Sequence, residues 1–350
     1  MTDTTQAVPV ESWATDYDIF DRGYVNDPFP VWDELRGTCP IAHSDRWGGS
    51  WLPTRYEDVA AIAHDVSHFS SREIGVLPPG EGDEQALPEG LPPISADPPV
   101  HTWTRRLLLP WFSHTRVSQY EPSTRALCRQ LAEGIAAKGS GDAAADYAQQ
   151  IPVRVIAQVL GVPTEMSDTF TGWVRDVLEF ATVPERRNAG RAAIIGYFIE
   201  QIEARRGGPD DDLISVLLRS EVDGEPVSDG HILGTAALTL IAGVDTTWSG
   251  IGSALWHLAT HPADRARLVA EPELLPTAIE ELLRAYSPVT MARIVAEDTE
   301  VGGCPMKEGD RVLLNFPGAN RDPDVFPDAD RVVIDRELNR HVAFGIGIHR

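Results

Sequence analysis

Cysteine is scarce: Cys39, Cys128 and Cys304 are the three in 350 residues, and no two stand at CxxC spacing. That excludes a disulfide framework and a thiol metal or redox motif, and each reads as a small buried hydrophobe. Positive charge is short as well. Thirty Lys and Arg face 53 Asp and Glu, a net charge of -23, which argues against nucleic acid or an anionic membrane as partner. The opening Met1-Thr2-Asp3-Thr4-Thr5 is neither basic nor apolar, so no signal peptide is expected. The longest apolar run, residues 232–244, is too short to span a bilayer and runs into Asp245, so no membrane insertion is expected. No internal repeat, low-complexity tract or linker appears. With 42% hydrophobic residues, these absences imply one soluble, cytoplasmic domain over 1–350, with 1–25 as a loosely ordered arm.

The periodicities that are present are mostly helical. Helices are expected over 28–36, 56–64, 100–111, 117–138, 145–160, 167–180, 186–205, 211–219, 229–260 and 276–286. Strands are expected at 41–44 and 50–53, a hairpin around Arg46-Trp47-Gly48-Gly49, and again at 289–296, 300–301 and 311–315. The fold class is mainly α with small β-sheets. Residues 72–99 carry seven prolines and scattered apolar side chains, the composition of a lid over an apolar cavity; disorder is the alternative. Residues 318–340 form an irregular meander.

The chain is organised around 228–260, with Ala242-Gly243-Val244-Asp245-Thr246-Thr247 at its centre. Ser228 is a fair N-cap, and His261-Pro262 ends the helix. A glycine followed two and three residues later by an acid and an alcohol weakens the hydrogen-bond ladder, so the helix could open and hold a water or small ligand. A core helix whose threonines bond the carbonyl a turn back explains the same residues. Two further clusters stand out. Glu281 and Arg284, three apart, share a helix face, and between 101 and 130 five arginines (105, 106, 116, 125 and 129) face Glu121 alone.

In order along the chain, these motifs resemble those of the bacterial cytochromes P450, a haem-thiolate monooxygenase family. Ala242-Gly243-Val244-Asp245-Thr246-Thr247 is similar to its oxygen-binding motif and Glu281-Leu282-Leu283-Arg284 to its ExxR, followed by Ser287-Pro288-Val289 and Arg293. Asn320-Arg321-Asp322-Pro323 and Phe326-Pro327-Asp328 resemble its meander, and Phe344-Gly345-x-Gly347-x-His349 the opening of its haem loop. The family's iron-binding cysteine would fall immediately after Arg350, so the chain reads as truncated just before it. Within the given chain no metal ligand is expected.

The resemblance implies the P450 fold, with a long central helix and small β-sheets. It also implies haem b (iron protoporphyrin IX) and oxygenation, by hydroxylation or epoxidation, of a small, largely apolar substrate with O2. Electrons would come from a ferredoxin and ferredoxin reductase. Asp245 and Thr246 would organise proton delivery, with Gly243 leaving room for oxygen and Ala242 beside the cofactor in the pocket wall. His101, Arg105, Arg293 and His349 would hold the haem propionates, beside Phe344 and Gly345. Arg106, Arg116, Arg125 and Arg129 would steer an acidic partner. Leu238, Ile241, Val289, Thr290, Met291 and Ala292 would line the substrate pocket, and Glu281 and Arg284 would lock the meander. A peroxide-using or C–C coupling enzyme of the same fold is the nearby alternative. A non-catalytic haem-binding or scaffold protein is the distant one, should Arg350 be the true terminus.

Overall fold

A computed structural model describes residues 8–80, 87–208 and 211–350. The chain divides into two compact units, one of Met1–Pro79 with Ala263–Arg350, the other of Gly80–Pro262. The first unit opens with α1 (Arg22–Asn26), α2 (Phe29–Thr38), β1 (Ile41–Ser44), β2 (Ser50–Pro53), α3 (Tyr56–His64) and β3 (Phe69–Ser70). The second carries α4 (Val100–Leu108), α5 (His114–Val117), α6 (Glu121–Lys138), α7 (Gln150–Leu160), α8 (Ser167–Leu178), α9 (Pro184–Arg205) and α10 (Leu213–Leu218). The hairpin β4 (Glu221–Val222) and β5 (Glu225–Pro226) then leads into α11 (Asp229–Thr260). The chain closes with α12 (Pro262–Ala270), α13 (Leu275–Ala285), β6 (Met291–Val295), β7 (Thr299–Val301), β8 (Cys304–Met306), β9 (Arg311–Leu314) and α14 (Phe316–Ala319).

In the second unit α11 is the axis. The Ser228 hydroxyl accepts from the His231 amide at 3.1 Å, capping the helix as its sequence predicts, and His261 ahead of Pro262 ends it. α7, α8, α9 and α10 pack around it, burying Phe170, Phe198, Leu213, Ile232, Leu240 and Val244 in one apolar cluster. Two helices start later than their periodicity predicts, and proline is the reason each time. Pro122 lies in the first turn of α6, behind a 3-10 turn at Ser118–Tyr120. Pro152 lies in the first turn of α7, behind a π-helical turn at Ala143–Ala148 capped by Asp142. Only there is a missing N–H tolerated.

The first unit is built on a five-stranded sheet in the order β1-β2-β9-β6-β3. β2 and β9 run parallel and the other pairs antiparallel. On it Tyr56, Ile62, Phe69, Val295, Leu314 and Phe326 form one cluster. The described part of the N-terminal arm is not loose. Tyr17 is 3% exposed, and its hydroxyl lies 2.5 Å from that of Ser50. Arg46 donates to both carboxylate oxygens of Asp16 at 2.7 Å and to the carbonyls of Val8 and Pro9. One guanidinium, thirty residues downstream, pins the segment.

Candidate active site

The long helix runs from Asp229 to Thr260 without interruption. The opening predicted at Ala242–Thr246 is closed here: the Thr246 hydroxyl donates to the Ala242 carbonyl at 2.9 Å, and that hydrogen bond spans the weak point. Gly243 also has a packing task that its motif does not imply. A Cβ on it would overlap Cδ1 of Ile156 and stand 2.7 Å from Cγ1, so the glycine lets α7 approach α11 closely. Asp245 is half-buried. Burial pushes its carboxyl above the ordinary range, the charge of Glu179 pushes further, and a hydrogen bond with the Trp248 side chain partly opposes both. Leu238, Ile241 and Ala242 are each half-buried on the same helix.

His101 and Arg105, four apart on one face of α4, belong to the same unit; His101 is buried and Arg105 half-buried. α4 is tied to the start of α11. The Thr104 hydroxyl donates to the Val100 carbonyl at 2.8 Å and lies 3.0 Å from His231 Nε2. It has spent its hydrogen, so Nε2–H is the donor in the second bond. Nδ1 then faces Glu89 Oε2 at 3.6 Å. Burial lowers the His231 pKa against the pull of Glu89. Residues 81–86 of the expected lid lie outside the described residues; those that follow are docked. Ser228 donates to Glu89 Oε1 at 2.5 Å and Thr235 to the Pro92 carbonyl. At Gly234 a Cβ would overlap the Gly90 carbonyl. Of the arginines expected to steer a partner, Arg116 is stacked on Trp111 and bonded to the Asp211 carbonyl, and Arg125 is bonded to Glu121. Arg106 and Arg129 are exposed.

The other unit carries Arg293 and His349. Arg293 is 4% exposed on β6. β6 pairs with β3, and one residue beyond β3 the buried Ser71 hydroxyl lies 2.8 Å from His349 Nε2. The sheet edge thus holds these two basic groups in one region. Gly345 and Gly347 turn the loop with φ of +76° and +79°, values that favour glycine. Phe344 is 63% exposed. Val289, Thr290 and Met291 are half-buried. Ala292 is not a pocket residue: it is fully buried in an apolar cluster with Tyr17, Val31, Leu35, Leu52 and Leu313, because successive strand residues face opposite sides of the sheet.

Glu281 and Arg284 are both 0% exposed. Arg284 donates to both carboxylate oxygens at 2.8 Å and to the carbonyls of Asn320, Ala329 and Arg331 at 2.7, 3.0 and 2.7 Å. Glu281 also accepts from the Val333 amide, Arg336 and Asn339. Burial alone would raise its pKa, yet these donors, Arg284 foremost, hold it below the ordinary value. Arg336, Asn339 and Ser71 escape the sequence reading, because contacts made by irregular segments leave no periodic signal.

The cytochrome P450 family model matches residues 186–349. The chain is 37% identical over 340 residues to the vitamin D(3) 25-hydroxylase of Pseudonocardia autotrophica, covering 95% of this chain and 83% of that one. The chain belongs to the cytochrome P450 family. It is also 36% identical to the mycinamicin IV hydroxylase/epoxidase of Micromonospora griseorubida, over 90% of this P450 and 81% of that one. The structure of the cytochrome P450 CYP109Q5 from Chondromyces apiculatus superposes with a TM-score of 0.85 at 34% identity, over 97% of this chain and 86% of that one. The P450 fold expected from the sequence is therefore the observed one, and the enzyme is a monooxygenase. Its donor chemistry suits haem. Each unit by itself carries donors of the kind a buried carboxylate needs: the almost wholly buried His101 with Arg105 in one, and the almost wholly buried Arg293 with His349 in the other. The three thiols are poor candidates for the iron. Cys39 and Cys304 both turn to the Ile41 carbonyl, and burial, with Cys39 and Asp58 nearby, pushes the Cys304 thiol up. Cys128 sits on α6 beside Tyr147. Among the described residues no helix is long and apolar enough to cross a membrane.

Proposed function

We propose that this cytochrome P450 hydroxylates or epoxidises a small, largely apolar organic substrate in the cytoplasm, with haem b as its cofactor and electrons from a ferredoxin and ferredoxin reductase. Bound haem supplies the binding and activation of O2. His101, Arg105, Arg293 and His349 would hold its carboxylates, with Ala242, Gly243, Phe344 and Gly345 beside it. The observation that carries the reading is the pairing on α11. Asp245, a carboxyl whose surroundings make it keep its proton to higher pH than usual, stands next to the Thr246 hydroxyl. A carboxyl poised in this way delivers protons better near neutral pH than an ordinary aspartate. The Thr246 hydroxyl spends its hydrogen on the Ala242 carbonyl and so offers acceptor lone pairs, with which it can orient a donor beside Asp245.

Leu238, Ile241, Val289, Thr290 and Met291 would contact the substrate, an apolar lining apart from one hydroxyl. The relatives named for vitamin D(3) and mycinamicin IV support a substrate with an extensive hydrocarbon frame. The deciding experiment is turnover of such compounds with a ferredoxin, its reductase and isotopically labelled O2. One labelled oxygen atom in each product molecule is expected. Label found only in water, whatever the compound, overturns the reading.

A further inference from the structure

Glu281 and Arg284 hold the meander, but a second set of contacts reaches from the same helix to the chain entering 344–349. Val342 N donates to Asn320 Oδ1 at 2.7 Å, and Asn320 in turn is held by Ser287 and Arg284. Beside it, Ala343 N donates to His341 Nδ1 at 3.2 Å, and His341 Nε2 lies 2.8 Å from Glu280 Oε2. A ring nitrogen that accepts an amide hydrogen carries none itself, so the hydrogen sits on Nε2 and is donated to Glu280. The imidazole is buried, its side chain 4% exposed, while that of Glu280 is 55% exposed. A buried ring with both nitrogens engaged has one orientation, and that orientation presents Nδ1 to the backbone just ahead of Phe344.

We propose that His341 is a positioning residue: oriented by Glu280, it fixes the backbone at Ala343 and so sets how the haem loop leaves the meander. The proposal rests on 344–349 being the haem loop, and nothing in the motif comparison assigns a role to His341 or Glu280. The contact has the form of an Asx turn, in which a side-chain acceptor takes the amide two residues on. His341→Asn should therefore keep the acceptor, whereas His341→Phe removes it at similar bulk.

The test is amide hydrogen exchange across 341–347, which can be read with or without haem. Losing the bond should speed exchange at Ala343 to Gly345 about tenfold in His341→Phe, while His341→Asn stays within about twofold of the parent. Glu280→Ala removes an exposed group and leaves the core intact, and it should speed the same amides roughly threefold. A merely stabilising side chain would change the melting temperature without this pattern of rescue. Exchange in His341→Phe and Glu280→Ala within twofold of the parent overturns the proposal, as does His341→Asn behaving like His341→Phe. Failure of the parent protein to take up haem would instead count against the proposed function, and the exchange measurement would remain readable.

Discussion

Two helices of this protein each carry a carboxylate inside the structure, and they treat it in opposite ways. Glu281 on α13 is fully enclosed, receives hydrogen bonds from Arg284, Arg336, Asn339 and the Val333 amide, and has its pKa lowered. Asp245 on α11 is less deeply buried, draws on Trp248 alone among the causes of its shift that favour the charge, feels the like charge of Glu179, and has its pKa raised. Depth of burial does not decide the outcome; the number of donors does. A carboxylate saturated with donors is a rivet. One left short of them is a proton store, which is how a reactive position differs from a structural one within a single fold.

The largest break in this contrast should come from Glu281→Gln. It strands the buried Arg284 charge, and denaturant unfolding should show a loss of about 3–5 kcal/mol. The contribution of Glu281 also has a pH signature. Because its folded pKa is lowered from 4.5, its stabilisation is complete above that value and is lost as pH falls through the folded value. Gly243→Ala comes next, with an expected loss of roughly 1–3 kcal/mol from overpacking against Ile156. Ile156→Val in the same chain should restore part of it, and a double-mutant cycle measures the coupling. If the two substitutions are additive, the close approach of α7 is not what Gly243 serves.

Asp245→Asn tests the other side and should change stability in the opposite direction. The raised pKa means that the folded state favours the protonated acid: stability is full below 3.8 and falls as pH rises through the folded value. The substitution should therefore stabilise the protein by up to about 1 kcal/mol at neutral pH and by nothing measurable in acid, while slowing turnover. A stabilisation independent of pH would mean that Asp245 is not held short of donors. Thr246→Ala should be nearly silent in stability, within about 0.5 kcal/mol, yet lower product formed per reducing equivalent by roughly tenfold, with hydrogen peroxide taking up the difference. Unchanged coupling would remove Thr246 from proton delivery.

Much of the fold is readable in the sequence because its punctuation is local. Ser228 and His261-Pro262 mark the ends of α11, and Gly48-Gly49 marks the first hairpin. The order of motifs points to the family before any coordinate does. What stays hidden is non-local. Arg46 gathers residues 8 to 18 across a gap of some thirty positions, and nothing in those residues announces the anchor. Ala292 looks like a wall residue from its place after α13, but strand alternation turns it into the core. Gly243 shows how a motif can be recognised while one local demand on a member is missed: a Cβ there would meet Ile156 of α7, 87 positions earlier in the chain and outside the hexapeptide.

The turn at Gly347 bears on how variants of this enzyme are made. A Cβ at that position would overlap the Ala63 carbonyl oxygen and stand 3.1 Å from the carbonyl carbon, so the C-terminal end of α3 is the floor on which the loop rests. Gly347 therefore belongs on the list of positions held constant when random libraries are drawn up, because its floor is backbone some 280 residues away in the written sequence and no side-chain change there removes it. A screen that varies Gly347 would discard clones for a loop lifted off that floor and record the loss as poor chemistry.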